Sequence, residues 1–221
     1  MRKLSAFASA LAMALAATAA PAADYTYGSW VPASDYINAQ ALPEVFKRID
    51  EATGGEVKWH LIAGGQLAGG VETFAAVQDR LMDAGVAATN YVPNLLPSTA
   101  TLYGLAVPGD DPVAAAGAAN EVVMLHCPSC IKELKALNMV GIGGYASAPY
   151  LLICREPIET VAQLKNLRVR ASGAPLNIMQ MAGAKTVQVS LIETVSLLQR
   201  GGVDCTTGIG DWLKTFGYGD F

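Results

Sequence analysis

Two of the four cysteines have a spacing that supports redox chemistry in other proteins. Cys127 and Cys130 enclose a Cys-Pro-Ser-Cys sequence, the C-x-x-C pattern of thiol-disulfide oxidoreductases. Such an enzyme needs the motif at the exposed start of a helix that follows a strand, whereas here the motif follows a predicted helix. Two interpretations are open, a redox centre and a local structural disulfide, and the position in the chain favours the disulfide.

The other two cysteines, Cys154 and Cys205, end two predicted strands, so they can form a second disulfide if those strands are neighbours. A metal site at His126, Cys127 and Cys130 would need a fourth ligand, and we identify none. Neither of the two histidines of the chain belongs to a recognisable nucleophile or metal motif. We therefore predict no catalytic residue, no metal site and no cofactor.

Residues 64–70, with the sequence Gly-Gly-Gln-Leu-Ala-Gly-Gly, form a glycine-rich loop between a predicted strand and a predicted helix. The loop lacks the Lys-Ser/Thr pair of a phosphate-binding P-loop and the glycine spacing of a dinucleotide fingerprint. Glycine also permits tight backbone turns. We interpret the loop as a turn rather than a phosphate site.

The N-terminus has the pattern of a secretory signal peptide. Residues 1–3 are positively charged, Leu4 to Ala20 form an apolar run, and Ala20-Pro21-Ala22 is a small-x-small cleavage site. The apolar run ends without a basic stop-transfer cluster, which disfavours a retained membrane anchor. We predict cleavage after Ala22 and a periplasmic location, where disulfides persist.

The charge of the mature chain argues against nucleic acid as a partner. Removal of residues 1–22 takes away two basic residues and no acidic residue, so 13 basic and 19 acidic residues remain, a net charge of −6. The sequence has no cluster of Lys and Arg and no zinc-finger spacing. A polyanion would therefore find no basic surface.

The remaining pattern alternates strands with helical connections, which is typical of an α/β protein. Strands are predicted at residues 25–31, 56–62, 85–90, 140–144, 150–154, 167–171, 186–189 and 203–206. Helices are predicted at residues 35–53, 71–83, 112–137 with an interruption near Pro128, 160–164, 172–182 and 191–200. Ser34 or Asp35 is the expected cap of the first helix.

Residues 157–170 resemble the P-I-x-T-x-x-D-L-K-G-L-K-I-R segment of substrate-binding proteins of tripartite ATP-independent periplasmic (TRAP) transporters. Three further blocks agree in order: residues 64–67 with Glu72 following, Gly183-Ala184 before a strand, and residues 193–204, which are similar to E-x-Y-x-A-L-Q-x-G-x-V-D-G. Together the blocks cover essentially all of the mature chain.

The resemblance implies a two-lobed architecture, similar to type II periplasmic binding proteins, with a ligand cleft between the lobes. On this basis we assign residues 1–22 to the signal peptide, 23–145 to lobe I and 146–221 to lobe II. Members of the family continue well beyond the position that matches Phe221. The chain is therefore expected to be truncated at its C-terminus, with lobe II incomplete.

The family consists of receptors rather than enzymes, and its members deliver an organic acid to a sodium-driven membrane permease. In most members the Arg that ends this strand pairs with the ligand carboxylate, and the matching residue here is Arg170. A planar guanidinium suits this role because it donates two parallel hydrogen bonds to a carboxylate. Arg168, on the same strand face, is expected at the surface.

Two departures from the family pattern bear on the ligand. Many acid-binding members carry a second cleft Arg where this chain has Tyr150, and Thr206-Thr207-Gly208 replaces a polar Glu-Asn pair. A second ligand charge would then be unpaired, so we predict a monocarboxylate. The expected ligand-contact residues are Arg170, Tyr150, Tyr91, Thr207 and Trp212, although a Trp or Tyr is more often part of an ordinary core.

Two competing functions follow from the same sequence. A periplasmic thiol-disulfide oxidoreductase would rest on Cys127 and Cys130 alone. The receptor of an ATP-driven importer would share the lobes but would not predict the L-K-x-L-x-V-R block at residues 164–170. We therefore expect a TRAP solute receptor with a small carboxylate ligand and the permease subunits as partners.

Overall fold

The computed structural model describes residues 22–104 and 111–221. In these ranges the chain forms two β-sheets joined and covered by helices. The predicted signal peptide lies outside the described residues, apart from Ala22, and stays a prediction. No helix within the two described ranges is long and apolar enough to cross a membrane.

The first sheet has three parallel strands in the order β2-β1-β3. The strands are β1 (Ala23–Gly28), β2 (Val57–Ile62) and β3 (Ala84–Gly85). Helix α1 (Leu42–Ala52) packs on this sheet through Phe46, whose ring contacts the rings of Tyr27 and Trp59. A π-helical turn (Ile37–Ala41) precedes α1, and Asp35 accepts a hydrogen bond from Ile37 N–H, in agreement with the predicted cap.

Four α-helices follow in the described residues between 73 and 136, which are 73–104 and 111–136. They are α2 (Thr73–Gln78), α3 (Pro97–Gly104), α4 (Pro112–Glu121) and α5 (Pro128–Ala136). Asp111 caps α4 by accepting hydrogen bonds from Val113 N–H and Ala114 N–H. A π-helical turn (Val122–His126) and Cys127 separate α4 from α5, which confirms the predicted interruption near Pro128.

The second sheet has four strands in the order β4-β7-β5-β6, with β4 antiparallel to β7 and the other pairs parallel. The strands are β4 (Leu151–Cys154), β5 (Arg168–Arg170), β6 (Lys185–Val187) and β7 (Cys205–Gly208). Their helices are α6 (Ala174–Met181), α7 (Leu191–Gln199) and α8 (Trp212–Thr215). Ser190 and Glu193 form a capping box that fixes the start of α7.

One cluster of buried side chains joins the two sheets. Tyr27, Trp30 and Val86 come from the first sheet and its connections, and they lie in the same cluster as Leu191 and Phe216, which follow strands of the second sheet. The expected boundary between lobes, at residues 145 and 146, falls in the irregular segment 139–150 between the sheets and stays a prediction.

The structure corrects several predicted elements. The predicted strand at 140–144 is wrong: this glycine-rich segment is irregular, because no strand of the described ranges pairs with it. The helix predicted at 71–83 is only α2, because the chain turns through Arg80 with φ of 60°. The strand predicted at 85–90 pairs only over Ala84–Gly85, and α3 and α8 were not predicted.

Candidate functional site

The centre of the candidate site is the Arg170 guanidinium at the end of β5. The residue is only 1% exposed. Its Nε and Nη2 donate hydrogen bonds to the main-chain carbonyl of Val189 at 3.0 and 2.7 Å, and Nη2 also donates to Tyr91 Oη at 3.3 Å. Within residues 22–104 and 111–221, no carboxylate pairs with this cation. A buried charge without a counter-charge is unfavourable, so the position is suited to binding an anion.

Strand register explains why the Val189 carbonyl lies beside Arg170. In the parallel pair of β5 and β6, Arg170 is opposite Val187, and Ala171 N–H donates to Val187 O at 3.1 Å. The chain reaches Val189 two residues later, immediately before Ser190, the N-cap of α7. Main-chain atoms thus orient the guanidinium, and Nη1 has no hydrogen-bond acceptor among the described residues.

Tyr91 connects the first sheet to Arg170. It ends a 3₁₀ turn (Thr89–Tyr91) that follows β3. Its hydroxyl oxygen accepts hydrogen bonds from Arg170 Nη2 and from Leu191 N–H, both at 3.3 Å. Burial raises the pKa of the Tyr91 phenol, and the Arg170 charge opposes part of that rise. The phenol is therefore neutral at pH 7.

A second polar contact joins the sheets beside this one. Asn90 Nδ2 donates to Ser172 Oγ at 3.0 Å, and both residues are buried. Asn90 precedes Tyr91, and Ser172 follows Arg170 by two positions. The two sheets therefore meet around the Arg170 side chain.

Tyr150 immediately precedes β4 and belongs to an aromatic wall formed by Tyr103, Tyr150 and Trp212. The hydroxyl oxygens of Tyr103 and Tyr150 are 2.8 Å apart, and the Trp212 ring is edge-on to Tyr150 with 5.5 Å between ring centroids. Burial is the main cause that raises the pKa of Tyr150, Tyr103 adds to it, and the Arg170 charge opposes it. The Tyr150 phenol is therefore neutral at pH 7.

Tyr103 is a member of this wall that sequence reasoning missed. It lies on α3, whose sequence of Pro, Ser, Thr, Ala, Leu, Tyr and Gly has no apolar stripe of helical spacing. The ring lies against Gly173, where φ is +63° and an added Cβ would be 2.9 Å from Tyr103 Cε1. Glycine is therefore required at 173 for both the backbone conformation and the close approach of the ring.

Thr207 differs from the other predicted site residues because its hydroxyl bonds to the main chain of the neighbouring strand. The residue is buried on β7, and its hydroxyl donates to the main-chain oxygen of Arg170 at 3.5 Å. The structure thus brings Arg170 into contact with Tyr91, and Tyr150 into contact with Trp212. The Thr207 hydroxyl contacts only the backbone of Arg170.

All four cysteines form disulfides, Cys127 with Cys130 and Cys154 with Cys205. Cys127 is the N-cap of α5 and accepts a hydrogen bond from Cys130 N–H, while Cys154 and Cys205 are opposite each other on β4 and β7. The expected disulfides are confirmed. In this form the sulfur atoms are not available as thiolate ligands for a metal.

Comparison with known proteins identifies the family. The family model described as DctP, bacterial extracellular solute-binding protein, family 7, matches residues 28–218. The chain belongs to this family. The resemblance to TRAP solute-binding proteins is therefore confirmed, and a receptor family rather than an enzyme family is assigned.

Solved relatives share the fold of this family 7 chain at low sequence identity. A marine metagenome TRAP solute-binding protein in complex with 3-hydroxybenzoate has 18% identity, a TM-score of 0.78 and 90% of this chain covered. A Bordetella bronchiseptica protein with bound mandelate has 23% identity, a TM-score of 0.75 and 90% covered. A Pseudomonas putida F1 protein with bound D-glucuronate has 16% identity, a TM-score of 0.73 and 90% covered.

These comparisons confirm the α/β, two-lobed fold. The chain spans 61%, 62% and 64% of the lengths of the metagenome, Bordetella and Pseudomonas proteins.

Proposed function

We propose that this chain is the extracytoplasmic solute receptor of a TRAP transporter, which binds a small monocarboxylate through Arg170. The observation that carries the proposal is the Arg170 guanidinium, a buried cation whose contacts with the described residues are all to neutral oxygen atoms. A ligand carboxylate supplies the missing negative charge and an acceptor for Nη1. Such a charge-assisted contact is strongest where water is excluded.

The aromatic wall supports a ligand with a single negative charge. By the resemblance to the family, Tyr150 matches the position at which many acid-binding members carry a second Arg. Its hydroxyl lies beside that of Tyr103. A second carboxylate at this wall would meet two neutral phenols and an indole edge. Burial of an unpaired carboxylate is unfavourable by several kcal/mol, so the wall favours a neutral or hydroxylated remainder.

The ligands of the relatives agree with this proposal. The 3-hydroxybenzoate, mandelate and D-glucuronate found in the three solved structures each carry one carboxylate. They differ in the rest of the molecule, which ranges from an aromatic ring to a sugar. The shared carboxylate is the part that Arg170 would bind, and the remainder would face the aromatic wall.

Substitution of Arg170 tests the binding role. We expect Arg170→Ala to weaken carboxylate binding by on the order of 2–5 kcal/mol, because a charge-assisted contact is lost. Arg170→Lys is expected to bind poorly as well, since an ammonium does not reproduce the planar fork. Isothermal calorimetry with 3-hydroxybenzoate, mandelate and D-glucuronate measures both effects.

Arg168→Ala is the matched control for this experiment. Arg168 lies two residues earlier on β5 but is exposed and pairs with Asp204. We expect its removal to leave affinity unchanged. If Arg170→Ala binds these acids as tightly as the parent protein, the assignment of Arg170 is wrong.

The transport role extends the proposal to the membrane partners. The receptor would act in the periplasm and deliver the bound acid to a sodium-driven TRAP permease. Uptake of a labelled monocarboxylate by cells that contain the permease subunits should require both the receptor and a sodium gradient. Uptake that continues after deletion of the receptor would contradict this role.

A further inference from the structure

The hydrogen bonds of the Tyr91 hydroxyl leave its proton directed away from the protein groups it contacts. Both protein partners of this oxygen are donors: Arg170 Nη2 and Leu191 N–H, each at 3.3 Å. A phenol oxygen that accepts two hydrogen bonds still has one O–H to donate. Among the described residues no acceptor receives that proton.

The Tyr91 ring is held in place by close packing. Trp30 lies against it, with 5.9 Å between ring centroids. Gly70 covers both rings, since an added Cβ would lie 3.0 Å from Tyr91 Cε2 and 3.2 Å from the Trp30 ring. The direction of the hydroxyl is therefore set by the fold rather than by free rotation of the side chain.

We propose that the Tyr91 hydroxyl is a second donor to the ligand carboxylate, beside the Arg170 guanidinium. This inference rests on the proposed function, because it requires a carboxylate at Arg170. One carboxylate oxygen then accepts from Arg170 Nη1, and the other accepts from the Tyr91 O–H. Since Tyr91 follows the first sheet and Arg170 ends a strand of the second, the ligand carboxylate is held from both sheets.

Arg170 Nη1 and the Tyr91 O–H together should favour carboxylates over carboxamides. An ionised carboxylate offers two acceptor oxygens and no donor. A carboxamide of the same shape presents an NH₂ group to one of the two donors, and that donor is left without an acceptor. The site should therefore bind acids in preference to their amides irrespective of the remainder of the ligand.

Removal of the hydroxyl tests the proposal. We expect Tyr91→Phe to lower the affinity for 3-hydroxybenzoate, mandelate and D-glucuronate by about tenfold each, because all three lose the same hydrogen bond. Tyr25→Phe is the matched control, since Tyr25 stacks on Trp59 in the first sheet and lies outside the site. Thermal unfolding without ligand checks that each variant is folded.

A double-mutant cycle separates donation to the ligand from a positioning role through Arg170. In an Arg170→Lys background the guanidinium is gone, so a Tyr91 that acts only by holding Arg170 has nothing left to hold. A direct donor still contributes, and we expect Tyr91→Phe to cost about tenfold in this background too. A change of less than twofold there would overturn the proposal.

The outcomes also distinguish this inference from the proposed function. If Arg170→Ala abolishes binding while Tyr91→Phe binds all three acids like the parent protein, only the Tyr91 assignment fails. If the parent protein binds none of the three acids, the monocarboxylate proposal fails and the Tyr91 inference fails with it. If the parent protein binds amides as tightly as acids while Tyr91→Phe binds the acids weakly, the predicted preference for acids over amides is wrong.

Discussion

Neutral groups hold the Arg170 guanidinium in place without neutralising its charge, as the proposed carboxylate site requires. Its protein acceptors, the Val189 carbonyl and the Tyr91 hydroxyl, carry no net charge. A carboxylate of the protein in the same place would satisfy the guanidinium and compete with any anionic ligand. Neutral acceptors fix the orientation of the side chain and leave its charge unpaired among the described residues, so it is available to the proposed ligand.

Tyr150 allows a prediction about ligand charge. We expect the parent protein to bind monocarboxylates more tightly than succinate or malate of similar size, by on the order of a hundredfold, because a second carboxylate at the aromatic wall is unpaired. Tyr150→Arg should reduce that ratio, since it restores a cation at this wall. Competition calorimetry with a monocarboxylate and succinate measures the ratio.

Tyr150→Phe is the control for the Tyr150 substitution. It removes the hydroxyl contact with Tyr103 but adds no charge, so the preference for monocarboxylates should persist. If the parent protein binds succinate more tightly than a monocarboxylate of similar size, another cation serves the second charge. The inference from Tyr150 would then be wrong.

Site residues could be predicted from the sequence only where the residue type and its position in the chain indicated a role. Arg170 was found because it ends a strand within a family block, and its burial agrees with a binding role. The Val189 carbonyl was not found, because a main-chain acceptor depends on strand register and not on the side chain at that position. Tyr103 was missed because its helix has no apolar period.

At the level of elements, the ion pair of Arg168 with Asp204 links β5 to the residue that precedes β7. Arg168 donates to Asp204 from its main-chain N–H at 2.8 Å and from its side-chain Nε at 3.1 Å. Asp204 N–H in turn donates to Arg168 O at 2.8 Å. The hydrogen bond from the Arg168 side chain is the main cause that lowers the pKa of Asp204.

This pair predicts a pH-dependent contribution to stability. A carboxylate whose pKa is lowered by folding stabilises the protein above its unfolded pKa of about 4, and the contribution is lost as the pH falls through the lower, folded pKa. We expect Asp204→Asn to lower the free energy of unfolding by about 1 kcal/mol at pH 7, a modest value because both side chains are partly exposed to water. The difference from the parent protein should shrink below about pH 4.

Urea unfolding at a series of pH values measures this difference. Ligand affinity at pH 7 serves as the internal control, because the Asp204 side chain pairs with Arg168 and not with Arg170. An equal deficit at pH 7 and at pH 3 would contradict the assignment of the effect to the ionised carboxylate.

Helices whose capping residues lie close in sequence were predictable. Strands were less predictable, because each depends on a neighbouring strand elsewhere in the chain. The capping box of Ser190 with Glu193, and Asp111 before Pro112, mark helix starts within a few residues of sequence. The segment 140–144 has Val and Ile at alternate positions, yet it pairs with no described strand. A strand needs a neighbour, and local propensity does not supply one.

At the scale of the whole molecule, the candidate site is assembled from parts far apart in sequence. Tyr91 and Arg170 are 79 residues apart, and Asn90 and Ser172 are 82 residues apart. No local motif spans such distances, so the contacts themselves followed only from the structure. The α/β class and the family blocks were sufficient to predict the fold, because they depend on the order of elements and not on side-chain contacts.

The segment around Val140 leaves apolar side chains at the surface. Val140 and Ile142 are 75% and 69% exposed. Asn120 holds this segment against α4 by accepting a hydrogen bond from Gly144 N–H and donating one to Gly144 O. Both side chains therefore extend from an anchored segment, and such surfaces promote association with other apolar surfaces.

This exposure predicts the solution behaviour of the chain from residue 23 to residue 221. We expect the double substitution Val140→Ser with Ile142→Ser to reduce both hydrophobic-dye binding and self-association, because two exposed apolar groups are removed. The midpoint of thermal unfolding should stay the same, since neither side chain contributes to a buried core. Sedimentation velocity, dye fluorescence and thermal unfolding test these expectations. The control is Val161→Ser, because Val161 is 68% exposed but lies elsewhere in the chain. A lower unfolding midpoint in the double variant would mean that Val140 and Ile142 pack against a partner in solution, and the exposed arrangement of this segment would be wrong.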